Sequence, residues 1–420
     1  MEDRYGNALG TTSDAAAAAY RKGVDHILEA SFGATDAFRA AVEIDPGFAL
    51  GHAGLARALM YDADMAGAKA AISNAKEVNS SVSDRELAHI GILDLMLSGR
   101  VPEAREAVKR HAVDYPLDAL AVQAGTNVFG LIGFSGCPGR ESDLLAYTSM
   151  LAPHYGEDWW MMSMQALSLC ETGNPQASLR LMERSLELNN ANSNAAHFKA
   201  HAQYELGETQ AGLDYLEDWM TGYDRRGIMQ VHLAWHAALW ALYLGDHAKM
   251  WSHVDASVAP GACPSALPIN VLTDTAAIYW RAQLQGVEVP RERWATLSAY
   301  AAKCFPEAGQ SFADIHAALA HAMAGDGDRL DKLAGAEKGF AADLVAPVSS
   351  GIQAILREDW TGALEALTPV MNDHARLGGS RAQRDILELT YANVLMRMGK
   401  GDEAGRVLRM RRPVLAKMLH

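Results

Sequence analysis

Cysteine is scarce. Only Cys137, Cys170, Cys263 and Cys304 occur in 420 residues, and none forms a CxxC pair. Such spacing argues against a disulfide framework and against a thiolate zinc site. Long apolar runs are missing as well, and nothing approaches the length that crosses a bilayer. The opening MEDRYGNALGTTSD has no basic stretch followed by an apolar one. No secretory signal is expected, and the expected compartment is the cytoplasm. Runs of Lys and Arg are absent apart from RVLRMRRPVLAK near the end, and the net charge is −14. A nucleic-acid surface needs a basic stripe, so that function class falls away. The basic run reads as the polar face and exit of a last helix. No GxSxG elbow, P-loop or strand-linked GxGxxG is present. Clusters of β-branched residues are few, which leaves strands without a home.

What remains is abundant. Apolar residues make up 49% and charged residues 21%, an ordinary folded composition. Apolar positions recur at helical spacing almost throughout, and the helices repeat in pairs. In DRELAHIGILDLMLSGRVPEAREAVKRHAVDYP, Gly99 ends one helix, Ala104 opens a small-residue contact and Pro116 closes the unit. Ala88, Ile92, Leu95, Ala104 and Val108 fall near the small or apolar positions of a tetratricopeptide repeat, and the unit has that repeat's length of about 34 residues. The frame returns at Gly173 with Leu179 and Met182, at Gly245 with Met250 and Val254, at Trp360 with Ala363 and Leu367, and at Gly399 with Ala404 and Leu408. One helix pair cannot bury its apolar face alone, so neighbours stack. The expected fold is all-α: a tetratricopeptide-repeat-like α-solenoid of stacked antiparallel helix pairs, curled around a central polar pocket. A single domain over 1–420 is expected, divisible into 1–135 and a polar-rich 136–420. The connections 130–143 and 257–270 are rich in Gly and Pro and read as insertions, with a lid as the functional alternative.

The polar residues are the informative ones. AAHFKAHAQYELGE holds His197 and His201, and VHLAWHAALWALYLGD holds His232 and His236. Residues four apart share a helix face, so each segment points two imidazoles the same way. Both segments stop at a glycine, Gly207 and Gly245, as equivalent helices of a repeat would. Stacking would bring four imidazoles to one surface. Asp274 and Arg281 are two turns apart on one face, and Arg381 and Arg384 share another. His316 joins the candidates, while His321 reads as an interhelical donor.

Taken singly, each of these residues is ordinarily a satisfied hydrogen-bonder or a packed ion pair. Taken together they allow two chemistries. One is a transition metal, Zn²⁺, Cu²⁺ or Fe²⁺, held by His197, His201, His232 and His236. HFKAH and HLAWH lack the glutamate of HExxH, so no metalloprotease base is present. The other is metal-free and is the preferred expectation, with no cofactor assigned. In it His197, His201, His232, His236 and His316 perform acid–base work, and Asp274 orients a ring. Arg281, Arg381, Arg384 and Asp385 bind a small anionic substrate, with Trp235 and Trp280 as walls. Elimination or hydrolysis would suit such a set. The competing reading is a protein-interaction scaffold without catalysis, and a homodimer is a third. Cys170 and Cys304 read as packed thiols, and the eighteen methionines as gap-fillers.

Several segments are longer and more individual than a generic repeat. They are RYGNALGTTSDAAAAAYRKGVDHIL, DPGFALGHAGLARAL, AAHFKAHAQYELGETQAGLDYLEDW, HLAWHAALWALYLGD, LTDTAAIYWRAQLQG, FADIHAALAHAMAGD and GGSRAQRDILELTYA. In order from about residue 4 to about residue 400, the chain resembles the tetratricopeptide repeat protein 38 family. The resemblance implies an all-helical repeat fold and implies no particular activity. One departure is Arg381, where the family pattern has a histidine, and it bears on any ligand of that position.

Overall fold

The computed structural model describes residues 1–78, 82–264 and 266–416. Ser265 in the second long connection and Lys417 at the end of the basic run lie outside the described residues. The chain begins with α1 (Asp14–Glu29), α2 (Ala34–Ile44), α3 (Ala49–Tyr61), α4 (Met65–Glu77), α5 (Asp84–Leu97) and α6 (Val101–Asp114). A short α7 (Ala119–Val122) precedes α8 (Arg140–Tyr155), α9 (Trp159–Glu171), α10 (Pro175–Leu188) and α11 (Ser193–Leu206). Then come α12 (Thr209–Met220), α13 (Gln230–Tyr243), α14 (His247–His253), α15 (Pro268–Leu284), α16 (Arg291–Cys304) and α17 (Ser311–Ala324). The last are α18 (Gly327–Ala334), α19 (Ala342–Leu356), α20 (Trp360–Met371), α21 (Arg381–Arg397), α22 (Gly401–Arg411) and α23 (Pro413–Ala416). Among the described residues only two isolated bridges, Glu2 with Ala8 and Gln310 with Phe340, have β geometry. The all-α expectation and the pairing of consecutive helices both hold.

Local chemistry sets the turns. Gly245 and Gly325 take left-handed φ of 77° and 80°, a region that suits glycine. The next residue in each case is an aspartate, Asp246 or Asp326, whose carboxylate accepts the backbone N–H of Lys249 or Arg329 and caps the following helix. Asp64 and Asp359 cap α4 and α20 the same way. Close approach between neighbouring pairs depends on small residues: a Cβ on Gly212 would stand 2.5 Å from the Trp240 ring.

First and second helices differ in burial. The second helices carry one apolar stripe; α20 buries Ala363, Leu367, Val370 and Met371. Three of the first helices, α13, α15 and α17, are enclosed on every side over most of their length. All of Gln230–Leu242 in α13, Val271–Ala282 in α15 and Ser311–Ala322 in α17 are buried. A helix buried all round is an interior helix, so its polar residues must find partners away from water.

Two compact units form. The first comprises Met1–Gly133, Glu141–Lys199 and Tyr223–Met229. The second comprises Phe134–Arg140, Ala200–Gly222 and Gln230–His420. Contacts inside each unit explain the interleaving. In the second, Phe134 packs 4.9 Å from Phe340, centroid to centroid, and Arg140 donates to the carbonyls of Ala375 and Gly379. Residues 134–140 of the first connection thus pack within the second unit. In the first, Asn194 Nδ2 donates to Leu28 O at 2.9 Å and Tyr223 Oη to Ala30 O at 2.8 Å, satisfying carbonyls at the end of α1. The second unit also returns on itself. Trp280 Nε1 donates to Thr390 Oγ1 at 2.8 Å, which sets α21 against α15. The face of α15 that an open groove would leave for a peptide is therefore covered by α21.

The first unit has its own buried polar node. Asp118 receives Arg85 Nη1 at 2.9 Å and His111 Nε2 at 3.0 Å, and His89 Nδ1 lies 3.1 Å away. Burial pushes the Asp118 carboxyl up, but His89, His111 and Arg85 together hold it well below the ordinary carboxylate range. A depressed carboxyl contributes stability above its unfolded pKa of about 3.9 and loses it progressively below that pH. Asp118→Ala is expected to cost about 3–5 kcal/mol, because it strands buried donors. It should also flatten the acid limb of the urea-unfolding curve below about pH 4. An unchanged urea midpoint for that variant would show that the node is not structural.

Candidate functional site

The two histidine pairs do converge. Each pair sits one turn apart on an enclosed helix, His197 and His201 on α11 and His232 and His236 on α13. One ring nitrogen from each of His201, His232 and His236 lies within 4.8 Å of the others. The unit boundary passes through α11 after Lys199, so His197 belongs to the first unit and the other three to the second. Within the second unit the rings of His201 and His236 are 4.6 Å apart, His232 and His236 4.9 Å, and His201 and His232 6.1 Å. None of the three is more than 3% exposed.

Neighbours orient the cluster. His232 Nδ1 meets Asp274 Oδ2 of α15 at 2.8 Å, which leaves Nε2 to face the other rings. The second Asp274 oxygen lies 3.5 Å from Gln383 Nε2 of α21. Gln383 itself is fixed as the capping-box partner of Ser380. Trp235 stacks on His232 at 5.1 Å with planes 9° apart, and Arg281 lies over the same indole at 5.5 Å. Burial pushes His201 down to about 3, with the neighbouring His232 adding to it. Burial also drives His236 well below its ordinary value, helped by His201, His232 and Arg281. Both rings are neutral at pH 7, a protonation state that suits lone-pair donors better than acid catalysts.

Arg281 is the outlying charge. Its side chain is fully buried, and Nη2 donates to Ala382 O at 2.6 Å. Nε and Nη1 have no hydrogen-bond partner, and no carboxylate lies within ion-pair distance among the described residues. His316 sits on α17 with Nδ1 donating to Phe312 O at 2.6 Å, and its buried Nε2 is likewise unpartnered. It lines a cavity of about 10 Å³ with Ile315, Leu319 and Thr390, room for one water at most. Burial lowers His316 to about 4, and Arg281 contributes to the same shift.

Other expected ligand-binding residues are engaged elsewhere. Arg381 is part-exposed and lies 3.7 Å from Glu205. Arg384 Nη1 donates to Gly379 O at 2.5 Å. Asp385 takes Arg412 at 2.5 and 2.9 Å and the Tyr204 hydroxyl at 2.8 Å. Trp280 is bonded to Thr390 and faces α21. His321, expected to be an interhelical donor, lies 2.8 Å from Ser298 Oγ. Sequence reading missed Gln383 and Arg412. The basic run read as a polar exit, yet Arg411 pairs with Glu388 and Arg412 with Glu205 and Asp385. Nothing in the spacing of RMRR marks which arginine turns inward.

The fold and this interior define an all-α helical-repeat protein with a buried histidine cluster. No family model matches the chain. Among solved structures it is similar to yeast Tom70, with 14% identity, 96% of this chain and 85% of that one covered, and a TM-score of 0.40. It is also similar to Naa15/Naa10 bound to HypK-THB, with 12% identity, 95% and 63% coverage and a TM-score of 0.26. The P58(IPK) TPR domain matches at 11% identity, with 94% and 99% coverage and a TM-score of 0.19. Among the described residues no helix is long and apolar enough to cross a membrane.

Lowered imidazoles make the second unit sensitive to acid. His321, like His316, is lowered by burial to about 4. A histidine whose folded pKa lies below its unfolded value of about 6.5 binds a proton more readily when unfolded. Stability is then fully present above about pH 6.5 and falls toward pH 4, by up to about 1.4 kcal/mol per pH unit for each ring. Thermal melts of the chain between pH 7 and 4 should show this decline, and His316→Gln should make it shallower. An equally steep decline in the variant would remove His316 from the account.

Proposed function

We propose that this helical-repeat protein encloses, in its second unit, a polar site for a small anionic molecule. The observation that carries the reading is Arg281, a fully buried guanidinium with two donor atoms unmatched by protein. A buried charge left without a counter-charge is costly, and a carboxylate or phosphate oxygen is the natural complement of a guanidinium edge. His201, His236 and Trp235 supply neutral and aromatic walls nearby. The depressed imidazoles weigh against His-based elimination or hydrolysis, since a ring lowered to about 3 or about 4 is a weak base at neutral pH. The reading is therefore binding before catalysis. Membership of the tetratricopeptide repeat protein 38 family and a cytoplasmic setting belong to the same proposal, the first resting on the ordered segments quoted above.

A second reading is a protein-interaction scaffold without catalysis. The helix-pair architecture favours it, because stacked pairs need no chemistry to serve as a binding surface. The covering of α15 by α21 counts against an open peptide groove in the second unit.

Calorimetry of the full chain with acetate, succinate and inorganic phosphate separates the two. On the ligand-site reading, at least one of these raises the melting temperature in a concentration-dependent way. Arg281→Met should then abolish the shift while leaving the ligand-free protein as stable as before, or more so. If no anion shifts the melt and Arg281→Met destabilises the protein by about 3 kcal/mol or more, Arg281 is structural and the scaffold reading prevails.

A further inference from the structure

We propose that His201, His232 and His236 form a binding site for a borderline divalent transition metal of the Zn²⁺ class, with Asp274 as the group that orients His232. The inference goes beyond the anionic-ligand reading and stands whether or not an anion binds at Arg281.

Donor placement carries the argument. Three imidazoles from two packed helices offer ring nitrogens within 4.8 Å of one another. Ligand nitrogens about 2.0–2.1 Å from a tetrahedral metal lie about 3.4 Å apart, so small ring rotations close the set. The i, i+4 spacing of His232 and His236 puts two ligands on one rigid helical face, and α11 supplies the third.

The second layer has the chemistry that metal-bound histidines require. A ligating imidazole gives its other N–H to a carboxylate or carbonyl, which fixes its tautomer and raises its basicity. His232 does so to Asp274 at 2.8 Å. Asp274 is itself buried and lies beside Gln383. The carboxylate sits one shell out and offsets part of the ion's charge. All-nitrogen donors select Zn²⁺, Cu²⁺, Ni²⁺ or Fe²⁺ over the oxygen-seeking Mg²⁺ and Ca²⁺. A packing role explains buried histidines singly. It does not explain why three converge at donor distance with one of them held by a carboxylate.

The test uses the untagged full-length chain, stripped with chelator and titrated with Zn²⁺ and with Co²⁺. The expected result is one equivalent bound, a tetrahedral Co²⁺ visible spectrum and a raised melting temperature. The double variant His201→Gln/His236→Gln should lose the equivalent and the spectrum. Asp274→Asn should fold and bind 10–100-fold more weakly, and it decides the matter if the double variant does not fold. Arg281→Met should keep full metal affinity, so a failed anion site and a failed metal site are told apart. No stoichiometric binding by the parent chain overturns the proposal. So does equal binding by the double variant, or by Asp274→Asn if the double variant does not fold, since the metal would then sit on other histidines.

Discussion

The second unit is organised around one constraint: Arg281 brings a full positive charge to the last turn of an enclosed helix. In that setting charge is costly unless matched, and the surroundings are arranged accordingly. Carbonyls at the start of α21 accept from it, and the Trp235 face lies beneath it. The nearest imidazoles, His236 and His316, are driven toward neutrality by burial and by Arg281 itself. Asp274, the carboxylate of the same helix face, is directed to His232 instead.

Comparison with the polar node of the first unit shows what is unusual here. Around Asp118 the charges close: one carboxylate, one guanidinium and two imidazoles, all within hydrogen-bonding range. The Arg412 node of the second unit closes as well, with Asp385 and Glu205 both held by one guanidinium. These are networks that hold helices together. Arg281 does not close in this way, and a site differs from a staple in that respect. The anion proposal draws on that incompleteness, whereas the metal proposal draws on the close placement of three ring nitrogens.

Enclosure of the first helices makes such a site possible. Small residues such as Gly212 let second helices approach closely, so α13, α15 and α17 lose contact with water on every side. Polar groups on them then act in a medium where hydrogen bonds and charges weigh more than at the surface. A repeat with one open face would have left the same histidines hydrated and unremarked.

The helix pairs were legible in the sequence because their causes are local. Apolar period, left-handed glycines such as Gly245 and Gly325, and the capping aspartates after them all act within a few residues. The convergence of His201 with His232 and His236 was legible for the same reason, since i, i+4 geometry and neighbouring repeats are nearly local facts. Partners set by long-range closure were not. That Asp385 belongs to Arg412, that Arg381 faces Glu205, that Gln383 stands beside Asp274 and that Phe134 packs on Phe340 all depend on α21 and the 134–140 arm returning to segments far away in sequence. Spacing along a chain carries face and period, whereas the identity of a buried charge's partner is decided only when distant helices meet and water is excluded.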